Sequence, residues 1–122
     1  MIAAMAGVLV VDDDPAFRGL ARRLLTAEGL AVVGEADGVA TAIAAARDLR
    51  PDGALVDVRL GDGDGIALAR ELAALPWRPR VVLTSSTPDA ASAEEVRASG
   101  AGGFFPKDEL PGAPLKLLLS KA

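Results

Sequence analysis

The chain contains no cysteine and no histidine. Without cysteine it has no disulfide, no thiolate zinc site and no thiol nucleophile, and without histidine it lacks the usual general base and the usual zinc ligand. Any chemistry must therefore use carboxylates, hydroxyls or lysine.

The sequence also lacks a basic run and a long apolar run. Its formal net charge is -4, which argues against direct binding of nucleic acid or of an anionic membrane surface. No apolar stretch reaches the ~20 residues that a membrane span requires. We therefore expect neither a nucleic-acid ligand nor a membrane anchor for this chain.

The first eleven residues are apolar and resemble the core of a signal peptide, with a small-x-small pattern at residues 4–6. However, no basic residue precedes this stretch, the small residues come before its most apolar part, and three aspartates end it. These features favour a cytoplasmic protein over an exported one.

The pattern of apolar residues predicts five strands that alternate with five helices in a single domain of 122 residues, 1–122. None of the strands alternates polar and apolar residues, so all five are expected to be buried on both faces. The predicted strands are 7–11, 30–35, 53–57, 79–84 and 102–105. The predicted helices are 15–28, 38–49, 64–74, 89–99 and a short one from Pro111 or Ala113 to Lys121.

The helix ends carry recognisable signals. Asp14 is predicted to be an N-cap, Pro15 suits the first helical position, and Gly29 and Gly100 are predicted to end their helices. The fourth helix is the weakest because most of its apolar residues are alanine. The residues expected to face the core are Phe17, Leu20, Ala21, Leu24 and Leu25 in the first helix, and Val39, Ile43, Ala46 and Leu49 in the second.

Five βα units with right-handed crossovers predict an α/β fold, with a parallel sheet covered by helices on both faces. Such sheets bind ligands beyond the carboxyl ends of their strands. Polar residues stand at four of these ends: Asp12 and Asp13, Asp57, Thr84 with Ser85, and Lys107.

Singly, each of these residues has an ordinary role as a helix cap, a strand residue or a surface lysine. Together they indicate a metal site and phosphoryl chemistry, because clustered carboxylates repel one another unless a cation or a proton intervenes. Asp57 could attack phosphorus as a nucleophile, and Thr84 could donate its hydroxyl to a phosphoryl oxygen. Lys107 could pair with Asp57 or with the phosphoryl group.

Four segments resemble the receiver domain of two-component response regulators: residues 8–15, 55–65, 81–85 and 102–107. They occur in the order and at the spacing of that family, and the resemblance spans essentially the whole chain. It implies a flavodoxin-like doubly wound fold with a five-stranded parallel sheet in the order 2-1-3-4-5.

The resemblance also implies a role for each residue at the strand ends. Asp57 resembles the phosphoacceptor, and Asp12 and Asp13 resemble the acidic pair that holds Mg²⁺ together with Asp57 and the backbone carbonyl of Arg59. Thr84 resembles the switch hydroxyl, Lys107 the lysine that contacts the phosphoryl group, and Phe104 the switch aromatic.

The implied partners are a sensor histidine kinase or a phosphotransfer protein, and a downstream protein that the sequence does not identify. A homodimer through the fourth helix, fifth strand and fifth helix fits the same resemblance. The implied activity is phosphoacceptance with slow autodephosphorylation rather than metabolic catalysis.

Three positions depart from the family pattern. Gly61 stands where many members have proline, so the loop 59–65 is expected to be more flexible. Pro106 precedes Lys107 and Asp108 follows it, a Lys-Asp variant that resembles receivers attached to helix-turn-helix output domains and implies no cis bond. Phe104 lacks a hydroxyl, so any signal at that position must be steric.

Several alternatives remain beside this interpretation. The chain could be the receiver fragment of a DNA-binding regulator, or a pseudo-receiver that signals without phosphate. A phosphohydrolase of the haloacid-dehalogenase type would need an acid at Arg59. A calcium loop at residues 62–65 is excluded because Leu60 would occupy its first ligand position, so we expect a turn there.

Overall fold

The computed structural model describes residues 5–120. In chain order the elements are β1 Gly7–Val11, α1 Pro15–Ala27, β2 Ala31–Ala36, α2 Val39–Leu49, β3 Gly53–Asp57, β4 Arg59–Leu60, β5 Gly63–Asp64, α3 Gly65–Ala73, β6 Arg80–Ser85, α4 Ala93–Ser99, β7 Gly103–Pro106, a 3₁₀ helix Lys107–Gly112 and α5 Leu115–Leu119.

Five strands form one parallel sheet in the order β2-β1-β3-β6-β7. This confirms the predicted order, because β6 and β7 are the fourth and fifth of the predicted strands. The observed strand bounds lie within one residue of the predicted ones. β4 and β5 form a separate antiparallel hairpin between β3 and α3, where the sequence predicted only a flexible loop and a turn.

Two apolar layers cover the two faces of the sheet. Alternate residues of each strand point to opposite sides, so Leu9 and Val11 pack with α2 and α3, while Val8 and Val10 pack with α1 and α5. All four side chains are fully or almost fully buried. The central strands are therefore buried on both faces, as predicted.

The same prediction is wrong for the edge strands. β2 is mostly half-buried or exposed, with Val33 41% exposed, and every residue of β7 is half-buried. Strands at the ends of the sheet order have a neighbour on one side only, which the apolar composition of a strand does not reveal. Leu20 and Leu49, which were expected to face the core, are 53% and 41% exposed; Leu49 is the last residue of α2.

Most of the helix-capping residues predicted from the sequence lie at helix ends in the structure. Asp14 accepts a hydrogen bond from the Ala16 N–H at 3.0 Å, and Gly29 and Gly100 have φ angles of +86° and +82°, as helix-stop glycines commonly do. No peptide bond among residues 5–120 is cis.

The last two helices differ from the prediction. α4 begins at Ala93 instead of residue 89, because Ser92 and Glu95 form a capping box at its start. The predicted fifth helix is divided into the 3₁₀ helix and α5, since prolines at 111 and 114 interrupt the backbone hydrogen bonding. Its predicted end at Lys121 lies outside the described residues. Within 5–120, no helix is long and apolar enough to cross a bilayer.

Candidate functional site

The carboxyl ends of β1, β3, β6 and β7 bring the polar residues predicted from the sequence to one edge of the sheet. Asp57 is the last residue of β3 and lies opposite Thr84 of β6 in the parallel register. Asp12 directly follows β1, and Lys107 directly follows β7. Residues up to 95 positions apart in sequence therefore meet because the strands are parallel and adjacent.

Three carboxylates form the acidic part of the site. Asp12, Asp13 and Asp57 each place one oxygen within 4.8 Å of the others. Asp12 is fully buried, Asp57 is 7% exposed and Asp13 is exposed. Two almost buried carboxylates this close together cost free energy unless positive charge lies nearby.

Lys107 supplies that charge. Its Nζ lies 2.8 Å from Asp12 Oδ2 and 3.3 Å from Asp57 Oδ2. Partial burial lowers the pKa of Lys107, but the hydrogen bond to Asp12 and the charge of Asp57 outweigh it, so the net shift is upward. Lys107 is therefore a fixed cation at neutral pH.

The aromatic ring of Phe17 also helps to position the Lys107 ammonium group. Lys107 Nζ lies 4.1 Å from the centre of the Phe17 ring, and Phe17 belongs to the core layer under α1. This cation–π contact fixes the lysine above α1. The helical pattern had identified Phe17 only as a core residue, and no sequence signal connects it with a lysine ninety residues away.

Asp12 is the most constrained carboxylate. Its Oδ1 accepts the Asp14 N–H at 2.8 Å, and its buried Oδ2 is paired with the Lys107 ammonium group at 2.8 Å. Burial raises the pKa of Asp12, and the neighbouring Asp57 adds to this, although Lys107 and the Asp14 N–H act in the opposite direction. Arg18 Nη1 donates to the Asp12 backbone carbonyl at 2.7 Å, a contact that sequence analysis missed.

Asp57 is held by its own loop. Its Oδ1 accepts the Arg59 N–H at 3.1 Å, and its backbone carbonyl lies against Gly65, where a Cβ atom would overlap it. The side chain therefore has one oxygen oriented by backbone and the other near Lys107. This orientation leaves the carboxylate close to both Asp12 and the exposed Asp13.

The Thr84 hydroxyl, which was expected to donate to a phosphoryl oxygen, donates in this structure to a backbone carbonyl. The buried hydroxyl donates to the Phe105 carbonyl at 2.7 Å and so links β6 to β7. Phe104, one residue earlier, is half-buried and lines an open groove of about 700 Å³ between α4 and β7. In this conformation Thr84 is bound to the last strand of the sheet.

The donor set fits a hard divalent cation. Carboxylate oxygens are the preferred ligands of Mg²⁺, and the three converging aspartates supply them. The Lys107 ammonium group, 2.8 Å from Asp12 Oδ2, balances only one of these three negative charges, so the cluster keeps the net negative charge that a divalent cation would neutralise.

Residues 8–117 match the family model of the response regulator receiver domain. The chain is 44% identical over 106 residues to the "DNA-binding transcriptional activator DevR/DosR" of Mycobacterium tuberculosis, covering 85% of this chain and 48% of that protein. It is 38% identical over 112 residues to "Protein-glutamate methylesterase/protein-glutamine glutaminase 3" of Anaeromyxobacter dehalogenans, covering 90% and 33%. The chain thus spans about half or less of the length of these curated relatives.

A solved structure has the same fold. The signal receiver domain of the putative response regulator NarL from Mycobacterium tuberculosis superposes with a TM-score of 0.82 at 33% identity, covering 95% of this chain and 98% of that one.

Proposed function

The chain belongs to the response regulator receiver domain family, and we propose that it is a phosphorylation-dependent switch in which Asp57 accepts a phosphoryl group. The observation that carries this proposal is the convergence of three carboxylates and one lysine at the carboxyl edge of the sheet. We assign the receiver domain to residues 1–122. The donor would be a phosphohistidine on a sensor histidine kinase or a phosphotransfer protein.

In the transfer step, an oxygen of the Asp57 carboxylate forms a bond to phosphorus while the phosphorus–nitrogen bond of the phosphohistidine breaks, leaving the donor imidazole. Lys107 lies 3.3 Å from that carboxylate and can pair with the oxygens of the transferred group. The Arg59 N–H holds the other carboxylate oxygen in place. Hydrolysis of the resulting acyl phosphate by water would then return Asp57 to its free form.

Asp12, Asp13 and Asp57, with the backbone carbonyl of Arg59, would hold Mg²⁺. When bound, this cation supplies positive charge against the phosphoryl oxygens. Lys107 alone neutralises one of the three carboxylates, which leaves a net negative site suited to a divalent cation.

Phosphorylation would act on Thr84. A phosphoryl group on Asp57 offers acceptor oxygens beside the register partner of that residue, so the hydroxyl can leave the Phe105 carbonyl and bind them. The movement frees space into which Phe104 can turn and changes the surface formed by α4, β7 and α5. Because Phe104 has no hydroxyl, the change of shape is steric and biases an existing equilibrium.

This change of surface alters the affinity of the chain for a protein partner. That partner could be a second copy of the chain, in a homodimer through α4, β7 and α5. We assign the protein to the cytoplasm and assign neither nucleic acid nor membrane as its direct ligand. A single acid on the phosphoacceptor strand, with Arg59 two residues on, does not suit a phosphohydrolase of the haloacid-dehalogenase type.

A second candidate is the receiver portion of a DNA-binding regulator. It is favoured by the relative named as a DNA-binding transcriptional activator, which is 44% identical and about twice as long as the aligned segment, and by the Lys-Asp pair at 107–108. Sequencing the gene and its surroundings distinguishes the two, since a reading frame that continues into a helix-turn-helix module would establish the longer protein.

The test of the proposed function is labelling with acetyl phosphate followed by mass spectrometry. We expect one magnesium-dependent addition of a phosphoryl group in the wild type and none in Asp57→Asn. Asp48→Asn is a control because it removes the charge of an exposed carboxylate in α2, outside the cluster and the hairpin. Labelling of Asp57→Asn at the wild-type rate would show that the acceptor lies elsewhere.

Metal binding is tested separately by thermal unfolding. A ligand that binds only the folded state raises the melting temperature, so Mg²⁺ at millimolar concentrations should stabilise the wild type, and Asp13→Asn should lose most of the effect. A melting temperature that stays constant through the titration would contradict the site.

A further inference from the structure

The β4–β5 hairpin that follows Asp57 contacts the first turn of α2. β4 and β5 pair through Arg59 with Asp64 and Leu60 with Gly63, and residues 61–62 form the tip. At this tip Asp62 Oδ1 accepts the Val39 N–H at 2.7 Å, and Oδ2 accepts the Ala40 N–H at 3.3 Å. The hairpin is therefore bound to the first turn of α2.

Asp62 acts as the cap of that helix. Gly38 occupies the N-cap position and has no side chain to offer, so the first backbone N–H groups of α2 depend on other acceptors. The two hydrogen bonds from α2 lower the pKa of Asp62, which keeps the side chain ionised at neutral pH. A carboxylate at this end of a helix is also favoured by the helix dipole.

Two glycines leave room for this contact. A Cβ atom on Gly38 would lie 2.6 Å from Asp62 Oδ1, and one on Gly63 would lie 3.0 Å from Val39 Cγ2. The φ angle of Gly38 is -166°, an extended conformation open to any residue. A side chain at position 38 would therefore fit the backbone conformation but would displace the Asp62 carboxylate from α2.

The other end of the hairpin belongs to the phosphoacceptor site. Arg59 begins β4, its N–H orients Asp57 Oδ1, and its carbonyl is one of the proposed magnesium ligands. We propose that Asp62 is a positioning residue for phosphoryl transfer: by anchoring the hairpin tip on α2, it holds the Arg59 peptide against Asp57 and the cation. This inference rests on the function proposed above and adds a residue to it.

The first test compares two variants of Asp62. Asp62→Ala removes both acceptors and should raise the half-saturating Mg²⁺ concentration on the order of tenfold, measured by the thermal shift of the protein without any phosphoryl donor. Asp62→Asn keeps an oxygen for the Val39 N–H and should stay within about twofold of the wild type. Asp37→Ala is the matched control, because Asp37 is an exposed carboxylate that bonds only the Thr41 hydroxyl among residues 5–120.

The second test moves the hairpin without changing any charge. In Gly38→Ala the new methyl group displaces the Asp62 carboxylate from α2, so the half-saturating Mg²⁺ concentration should rise as it does in Asp62→Ala. The double variant should be no worse than Asp62→Ala alone, because the two changes remove the same contact. In both single variants, saturating Mg²⁺ should restore most of the rate of Asp57 labelling by acetyl phosphate.

Each outcome has a distinct meaning. If the wild type neither binds Mg²⁺ nor is labelled, the proposed function fails. If the wild type does both, and Asp62→Ala and Gly38→Ala bind Mg²⁺ as the wild type does, Asp62 is only a helix cap and the inference is overturned. If Asp62→Asn equals Asp62→Ala while Gly38→Ala equals the wild type, charge and not position is responsible, which also overturns it.

Discussion

Replacing Lys107 by methionine should destabilise the protein in a way that depends on pH. Methionine keeps most of the length and apolar surface of the lysine stem but removes the charge that lies between Asp12 and Asp57. The two carboxylates then face each other, nearly buried, without the cation that now separates them.

The contact distances set the scale of the loss. With an effective dielectric constant of about 20, unit charges at 2.8 and 3.3 Å attract by about 6 and about 5 kcal/mol. Desolvation offsets much of this, and Lys107 keeps 19% of its side chain exposed, so we expect a net loss of about 3 kcal/mol in the free energy of unfolding at neutral pH. For 122 residues this corresponds to a fall in melting temperature of about 12 °C.

The loss should shrink as the pH falls. The pKa of Asp12 is already raised, chiefly by burial, and removing Lys107 must raise it further. A carboxyl whose folded pKa exceeds its unfolded one binds protons more readily in the folded state, so acidification favours the fold. Lys107 itself stays charged throughout, because its pKa is raised above its ordinary value of 10.5.

Urea unfolding at several pH values between about 8 and about 4.5 measures this, without Mg²⁺. The difference between wild type and Lys107→Met should be largest at the upper end and decrease by at least about half at the lower end. Lys116→Met is the control, since it removes an equal charge from an exposed position in α5. A loss that is the same at every pH would show that Lys107 contributes by packing and not by charge.

Two further substitutions test contacts around the site. Thr84→Val removes only the hydroxyl that donates to Phe105, so urea unfolding should show a loss of about 1–2 kcal/mol. Beryllofluoride, used as a mimic of the phosphoryl group on Asp57, should change hydrogen exchange at residues 84–107 in the wild type, and this change should largely disappear in Thr84→Val; an unchanged response would contradict the switch. Gly65→Ala places a methyl group on the Asp57 carbonyl and should cost about 3 kcal/mol or more, whereas Gly112→Ala meets no atom within 4 Å and should be nearly neutral.

The strand ends were predictable because the apolar runs and the polar residues that follow them are local features of the sequence. Apolar runs followed by aspartate, threonine or lysine identify the buried parallel strands and the residues at their carboxyl ends. The pairing of Asp57 with Thr84 then follows from the strand order. Physical rules about parallel sheets predicted that these residues share one edge, whereas the strand order itself was implied by the resemblance to receiver domains.

The supporting contacts were not predictable because they join segments distant in sequence. The ring of Phe17 under Lys107 and the cap that Asp62 provides for α2 depend on how whole elements pack. The helical period of apolar residues likewise placed Leu20 on the core face, although it is exposed in the structure. The start of α4 is a different case: the Ser92–Glu95 capping box is visible in the sequence, but the alanines before it extended the helical pattern.

The hydrogen bond of Thr84 bears directly on the energy of the proposed switch. In the described conformation the hydroxyl is already satisfied by the Phe105 carbonyl, so binding a phosphoryl oxygen exchanges one hydrogen bond for another instead of adding one. The gain must then come from the charge of the acceptor, since hydrogen bonds to charged groups are worth more than neutral ones. Phe104 has no hydroxyl whose outward hydrogen bond would be lost on turning inward. The aromatic residue therefore imposes only a packing cost, and the balance between the two states depends mainly on which acceptor holds Thr84.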